Sequence, residues 1–459
     1  MDSFAAVVTT GIYCRPGCGG RPRSDNVRRY ALAAAAEAAG FRACFQCRPY
    51  RWPQSVAWTR PELVCRAVRL ILDGALDGAT EEQLGAQLGV SARHLRRLFT
   101  EHLGVTPDGL ARSARAHFAR RLLDDTDLSI IEISLAAGFG SLRQFNRACR
   151  EIFRASPREL RARRRKADRL VADGGLPLRL AFRGALDWGA IVNYLERQAI
   201  RGVESVSETT YRRTVSIGGD VGVVELGPGG VDYLILVAHL PHWEELVHAV
   251  TRARRIANLD LDLEEPAARL SSDRTLGPLL RARPGIRPPG SWDPFEAGVR
   301  AIVAERAPVA AARTLTQRLV EYQGKPAPGL RQLGLTHLFP SAAVLADADL
   351  SRIGLSERSG HTIRAFARAY VDGAVRLDGS VGLDELVARL TSATGIEPST
   401  AQAIAFRLGE PDAFPVDETA TSGMTATELV ELAERWRPSR ALAAAHLLLA
   451  EPAQLARVA

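Results

Sequence analysis

Four cysteines near the start of the chain carry its clearest chemistry. Cys14 and Cys18 stand in C-x3-C spacing, Cys44 and Cys47 in C-x2-C spacing, and 25 residues separate the two pairs. Two close thiol pairs can close a tetrahedral site of four thiolates around Zn2+ at about 2.3 Å. The alternatives are two disulfides or four unrelated thiols, and no secretory segment precedes them to favour an oxidising compartment. Arg15, Arg21, Arg23, Arg28, Arg29, Arg42, Arg48 and Arg51 surround the cysteines, and acids are scarce there. A purely structural zinc knuckle does not need that charge, whereas a site that meets a phosphate backbone does.

The elements around these residues narrow the reading. Thr9-Thr10-Gly11-Ile12-Tyr13-Cys14-Arg15-Pro16-x-Cys18 and Gly40-Phe41-Arg42-Ala43-Cys44-x-x-Cys47-Arg48-Pro49 resemble the N-terminal domain of the Ada methylphosphotriester repair proteins. The resemblance covers roughly residues 4–53. It implies that Cys14 is both a zinc ligand and the acceptor of a methyl group from DNA. It also implies that Arg15, Arg21, Arg23 and Arg48 face DNA. The chain starts later than in members of that family, which usually carry another helix first.

At 459 residues the chain exceeds one core, so two to four domains are expected. A hydrophobic share of 46% with 24% charged residues is globular, and no apolar run reaches the 18 residues a membrane helix needs. With no targeting segment visible, a cytoplasmic protein without a membrane partner is expected. The net charge of +8 favours a polyanionic partner, although Lys166 and Lys325 are the only lysines and an arginine-rich genome would give the same sign. Cys65 and Cys149 fall in helical patterns and read as core residues.

From Pro61 the apolar spacing is helical. Glu81–Phe99 reads as a helix ending at Gly89, a cap at Ser91 and a second helix, with Leu84, Leu88, Leu95, Leu98 and Phe99 inward. Arg93, His94, Arg96 and Arg97 are then free for a major groove. The arrangement recurs at Ile130–Phe139, with Ser141 capping Leu142–Phe153 and Arg143, Gln144, Asn146, Arg147 and Arg150 outward. A connecting helix is expected near Leu110–Leu123. The pair resembles the AraC-type DNA-binding domain, supported by Ala136-Ala137-Gly138-Phe139 and Ser156-Pro157-x-Glu159-Leu160. Cys149 and Arg154 depart from it, standing where Phe and Gly are usual. A generic bundle with a solvated arginine face is the alternative. Arg161–Lys166 and Asp173-Gly174-Gly175 read as a basic, flexible linker.

Beyond Leu176, alternation at 178–182, 211–217, 221–226 and 231–237 predicts an antiparallel sheet, with helices at Trp188–Arg197 and His242–Asn258. From Pro294 onward the chain reads as helical. Tyr211–Thr214, Arg283–Gly290, Phe295–Val303, Asp412–Pro415 and Ala433–Arg440 resemble AlkA-type DNA glycosylases over roughly 176–455. Such an enzyme flips a base out and sets a carboxylate beside the glycosidic bond. The resemblance places Glu418 at that position, with Asp417 before it; the alternative is two solvated carboxylates.

Five departures fall on functional positions of that family. The hairpin reads Thr394-Gly395-Ile396-Glu397-Pro398-Ser399-Thr400-Ala401, with Glu397 for a glycine and Ser399 for a tryptophan. The base wedge is replaced by Ala304–Pro308, the catalytic aspartate by Glu418, and the pocket aromatics by Ser439 and Leu448. Thr419–Thr425 is also shorter and more polar than the family's helix there. Base excision is therefore expected to be weakened or lost. No Pro-Cys-His-Arg motif occurs, so O6-alkylguanine repair is not expected.

The expected fold is multidomain, mainly α with an α+β part. It comprises an Ada-type zinc module at 1–55, an AraC-type double helix-turn-helix at 60–166, and a linker at 167–175. An AlkA N-terminal-like α/β domain at 176–290 and a helix-hairpin-helix glycosylase-like domain at 291–459 follow. The resemblances imply a DNA alkylation-damage protein that binds Zn2+ and double-stranded DNA. It would move one methyl per molecule onto Cys14 and regulate transcription as an activator, with RNA polymerase a further partner. Two other readings stay open. One is an active bifunctional 3-methyladenine glycosylase. The other is a non-catalytic zinc-containing regulator whose Arg283, Arg287 and Arg300 grip duplex.

Overall fold

The computed structural model describes residues 3–20, 22–53, 61–172, 174–305, 307–416 and 425–450. Asp417 and Glu418 lie outside these, as does Arg21. The chain divides into one unit of residues 1–182 with 236–251 and a second of 183–235 with 252–459.

The first unit begins with four short strands: β1 (Phe4–Val7), β2 (Ile12–Cys14), β3 (Val27–Tyr30) and β4 (Arg42–Ala43). Their order is β3-β1-β2-β4, antiparallel except for the parallel pair β2–β4. Runs of two to four residues leave little periodicity to read. Helix α1 (Ala33–Ala38) buries Ala33 to Ala36, since methyl side chains allow the closest approach of neighbouring backbones.

Helices α2 (Glu62–Leu72), α3 (Glu81–Gln87), α4 (Ala92–Leu103), α5 (Pro107–Asp125), α6 (Ile130–Ala136), α7 (Leu142–Phe153) and α8 (Pro157–Ala162) follow. Ser91 and Ser141 accept from the backbone N–H of His94 and Gln144, so each caps a recognition helix. Leu84, Leu95 and Phe99 are buried, with Leu88 and Leu98 packed at their edge. Cys65 and Cys149 are buried in their helices.

The basic segment after α8 is not a free linker. Lys166–Asp168 forms a 3-10 turn, and Leu170 N–H donates to the Asp125 carbonyl at 3.0 Å. Spacing alone gave no sign of this, because each partner lies more than 35 residues away in the chain. Strand β5 (Leu176–Ala181) sends Arg179 back to Asp125 at 2.9 Å.

In the second unit, α9 (Trp188–Gln198) leads into an antiparallel meander of β6 (Glu204–Ser207), β7 (Thr210–Ile217) and β8 (Asp220–Pro228). Tyr233–His239 is extended (β9), and α10 spans Leu246–Ile256. Beyond these lie α11 (Glu264–Leu270), α12 (Leu276–Ala282), α13 (Pro294–Ala304), α14 (Val309–Gln323), α15 (Ala342–Ala346), α16 (Glu357–Val371), α17 (Leu383–Thr394) and α18 (Pro398–Arg407). The last two are α19 (Ala426–Ala433) and α20 (Arg440–Leu449).

One apolar core runs through α13, α16, α17, α18 and α20. Gly298 in α13 is required there, since a Cβ would come within 2.3 Å of the Phe366 ring. Phe295, one turn earlier, stacks on that ring at 5.3 Å. A buried polar cluster ties the meander to α13: Glu204 accepts from Tyr211 at 2.6 Å and from Arg300 at 2.9 Å, while Arg213 donates to Glu296 at 2.6 Å. Removing one member would strand a buried charge, at about 3–5 kcal/mol.

Candidate functional site

The sulfurs of Cys14, Cys18, Cys44 and Cys47 all lie within 4.8 Å of one another, half-buried. A tetrahedron with about 2.3 Å Zn–S bonds has edges of about 3.8 Å, so the cluster fits the ion with little closure. Local structure brings the pairs together. The parallel β2–β4 pairing sets Cys44 N–H on the Tyr13 carbonyl at 3.0 Å, so the two ligand turns leave the sheet side by side. Gly17, at φ 72°, turns the chain so that Cys18 folds back under Cys14. Thiols this close do not ionise independently. A hydrogen bond from the Cys14 thiol lowers Cys47 to about 5, and Cys14, as its donor, is raised. Only a cation can hold all four as thiolates, which is the chemistry of zinc.

Positive charge frames the cluster unevenly. Arg23, Arg28 and Arg29 are exposed. Arg15 stacks on Trp52 at 5.1 Å, and Arg42 on Phe45 at 4.7 Å. Arg48 is 7% exposed and spends its guanidinium on Asp168 at 2.6 Å, so it braces the second ligand turn.

The recognition helices differ in what remains available. On α4, Arg93 is exposed, Arg96 is paired with Glu81, and Arg97 reaches His94 at 3.3 Å. On α7, Arg143 and Gln144 are exposed, Arg147 lies 3.9 Å from Glu151, and Asn146 donates to the Leu142 carbonyl at 2.9 Å. Arg143, Asn146, Arg147, Arg150 and Arg154, together with Glu151, line a groove on the α7 face.

Sequence reasoning missed the base on which the zinc module stands. Helix α5 turns His117, Arg120, Asp124 and Asp125 toward it, a polar stripe at i, i+3, i+7 and i+8 along the buried C-terminal half of the helix. Tyr13 and His117 both reach Glu37 Oε1 at 2.6 Å. Burial first, then Glu37, raises the Tyr13 phenol well above its ordinary value, so it stays a donor. Tyr50 donates to Asp124 at 2.8 Å, and Arg51 pairs with Asp125 at 2.6 Å. The stripe itself was the signal, since buried charges at helical spacing require partners.

In the second unit the hairpin between α17 and α18 is present. Gly395 closes α17 at φ 72°, and Glu397 caps the start of α18 without a side-chain cap bond. Glu397 pairs with Arg358 at 2.7 Å on the surface. The stem leading to the unassigned carboxylates is held firmly up to Val416. Arg440 and Arg437 both pair with Asp412, and Phe414 packs on Trp436 at 5.9 Å. Asp417 and Glu418 themselves lie outside the described residues. Arg283, Arg287 and Arg300, expected to grip duplex in one of the open readings, each have partners within the second unit. Arg283 donates to Asp187 and to the Leu449 carbonyl at 2.8 Å each, and Arg300 belongs to the Glu204–Glu296 cluster. Arg287 is fully buried against the carbonyls of Asn258, Leu261, Arg183 and Ala185, and burial lowers it to about 10.

Comparisons with known proteins agree with this anatomy. Residues 2–50 match the metal binding domain of Ada, 84–163 a helix-turn-helix domain, and 177–293 the AlkA N-terminal domain. The probable bifunctional transcriptional activator/DNA repair enzyme AlkA of Mycobacterium tuberculosis (strain ATCC 25618 / H37Rv) is 37% identical over 455 residues, covering 96% of this chain and 91% of the relative. DNA-3-methyladenine glycosylase 2 of Escherichia coli (strain K12) is 29% identical over 58% of this chain and 94% of its own length. The 3-methyladenine DNA-glycosylase structure from Archaeoglobus fulgidus superposes with TM-score 0.51 at 20% identity, over 59% of this chain and 97% of that one, which speaks to fold.

A four-cysteine zinc site, a double helix-turn-helix and a glycosylase-type unit on one chain define a class: DNA-repair enzymes that also bind DNA as transcription regulators. The chain belongs to the family of bifunctional transcriptional activator/DNA repair enzymes AlkA. Its partner is DNA, and among the described residues no helix is long and apolar enough to cross a membrane.

Proposed function

We propose that Cys14 accepts a methyl group from a DNA methylphosphotriester, once per molecule, and that the modified protein acts as a transcription activator. The observation that carries this is the four-sulfur cluster set in an arginine-framed module that shares a unit with two recognition helices. Zinc held by Cys14, Cys18, Cys44 and Cys47 would keep the sulfurs anionic at neutral pH. The Cys14 thiolate attacks the methyl carbon in line; the S–C bond forms as the C–O bond breaks, and a phosphodiester anion leaves. Arg15, next to Cys14 in the chain, and the exposed Arg23 are assigned to take that charge. Alkylation removes one negative charge from the cluster, so the same arginines then hold phosphate more tightly. Nothing in the site reverses a thioether, which makes the reaction stoichiometric. The mycobacterial relative, named a probable transcriptional activator, supports the activator role, and RNA polymerase is the partner proposed at the promoter. Changing Cys14→Ala is expected to abolish transfer and, with it, any rise in promoter affinity after exposure to methylated DNA. Equal affinity before and after methylation at matched salt would remove the switch.

A second activity is proposed for the other unit, favoured by its match to nearly the whole length of the E. coli glycosylase. The carboxylates 417 and 418 follow a firmly held stem, so residual excision of alkylated bases is assigned to them. The hairpin carboxylate and the missing wedge weaken it: we expect release of 3-methyladenine on the order of a hundredfold slower than by a glycosylase with these parts intact. Assay of free base under multiple turnover, with Asp417→Asn/Glu418→Gln as the control that removes the remainder, tests this. Release at the intact enzyme's rate would contradict it.

A further inference from the structure

The zinc module is joined to the DNA-reading helices by three separate sets of contacts. The first is the buried seam on α5, where Tyr13, Glu37 and His117 meet within 3.3 Å and Tyr50 and Arg51 meet Asp124 and Asp125. The second is the segment after α8. Arg163 stacks on Phe45, between two ligand cysteines, at 4.6 Å, and Asp168 takes Arg48 at 2.6 Å. The third involves the second recognition helix itself. Phe153 at the end of α7 packs against Tyr50 at 6.0 Å and His117 at 5.9 Å. Arg154, at φ 55°, donates to the Gly40 carbonyl at 3.4 Å. This last contact gives a reason for the arginine where a glycine is usual: the residue accepts a left-handed backbone and in return reaches the zinc module.

A module on a loose tether would sample many phosphates equally. A module fixed by buried polar contacts does not, because moving it takes Tyr50 and Arg51 from Asp124, a fully buried carboxylate that then keeps Arg120 of its own helix, and takes Arg51 from Asp125. We propose that the seam makes the acceptor module and the two recognition helices one rigid reader, so that Cys14 meets phosphates at a fixed offset from the sequence held by α4 and α7 and takes a methyl from a phosphotriester there in preference to one elsewhere. The inference rests on the assignment of Cys14 as acceptor and specifies its substrate: a phosphotriester presented within the bound duplex. Presentation at the offset is intramolecular, whereas any other position needs a separate encounter. His117 and Asp124 are thus positioning residues that act through Tyr13 and Tyr50.

The test uses the full chain and a duplex selected on it from a random library. A single methylphosphotriester is placed at successive phosphates across the selected site and its flanks, and methyl gain is followed by intact mass. At least a tenfold faster transfer at one or two neighbouring positions is expected. A flat profile overturns the inference while leaving the acceptor assignment standing; no gain at any position overturns both. In Asp124→Asn the positional ratio is expected to fall at least about fivefold, with zinc content and the rate at disfavoured positions unchanged. If that variant does not fold, Arg163→Ala/Asp168→Asn, which opens the segment after α8 only, is read in the same way. A folded variant that keeps the full ratio contradicts the role of the seam.

Discussion

The zinc module and the helix-hairpin-helix part of the second unit are held together by different means. In the module, four sulfurs lie within 4.8 Å on a scaffold of strands two to four residues long. In the second unit an extensive apolar core, a buried five-residue polar cluster and a hairpin of the right shape are all in place. The departures from the glycosylase pattern expected from the sequence fall instead on Glu397, Ser399, Ala304–Pro308, Glu418, Ser439 and Leu448. A scaffold stabilised by burial tolerates change at its site, because its stability does not pass through the reactive groups. A scaffold stabilised by a metal cannot lose its ligands, because they are also what folds it.

That contrast can be broken by experiment. Cys44→Ser, or strong chelation, is expected to unfold residues 3–53, since zinc binding contributes on the order of 10 kcal/mol to such modules. Limited proteolysis should then cut the module while the second unit keeps its own melting transition. A module that stays protected without metal would remove the contrast.

A smaller effect is expected in the second unit from His446. It is 2% exposed with neither ring nitrogen hydrogen-bonded among the described residues, and burial, aided by Arg283, lowers it to about 4. Its folded value lies below the unfolded one, near 6.5, so its neutral form supports the fold fully above pH 6.5. That support is lost as pH falls toward 4, by about 3 kcal/mol. Thermal melting of the second unit between pH 7 and pH 4.5 should show the drop, and His446→Leu should flatten it. An unchanged slope in the variant would assign the pH dependence to other groups.

The smallest effect sharpens the account of α7. Arg154→Gly relieves a left-handed residue by about 1 kcal/mol and gives up one exposed hydrogen bond worth about the same or less. Melting temperature is expected to hold or rise slightly. A clear loss of stability would show that the Gly40 contact counts for more than its 3.4 Å length implies.

The parts legible in the sequence were those set by local rules. Cysteine spacing fixes the ligand set, Ser91 and Ser141 announce the caps of α4 and α7, and alternation marks β7 and β8 to within two residues. What escaped depends on partners far apart in the chain. The Tyr13–His117 and Tyr50–Asp124 contacts span 104 and 74 residues, and no periodicity encodes them. The strands of the zinc module are too short to show alternation. Arg283, Arg287 and Arg300 looked like surface cations by type alone; the carbonyls and carboxylates that consume them are visible only in the fold. The Arg48–Asp168 pair, 120 residues apart, was hidden for the same reason.

The central claim is that Cys14 is a one-use methyl acceptor. The most direct test is intact-mass and peptide analysis of the full zinc-loaded chain after incubation with excess DNA carrying methylphosphotriesters. A gain of one methyl per chain, located on Cys14 and absent from Cys14→Ala, is the predicted result. No gain, a gain on another residue, or continued turnover beyond one methyl per chain would contradict it.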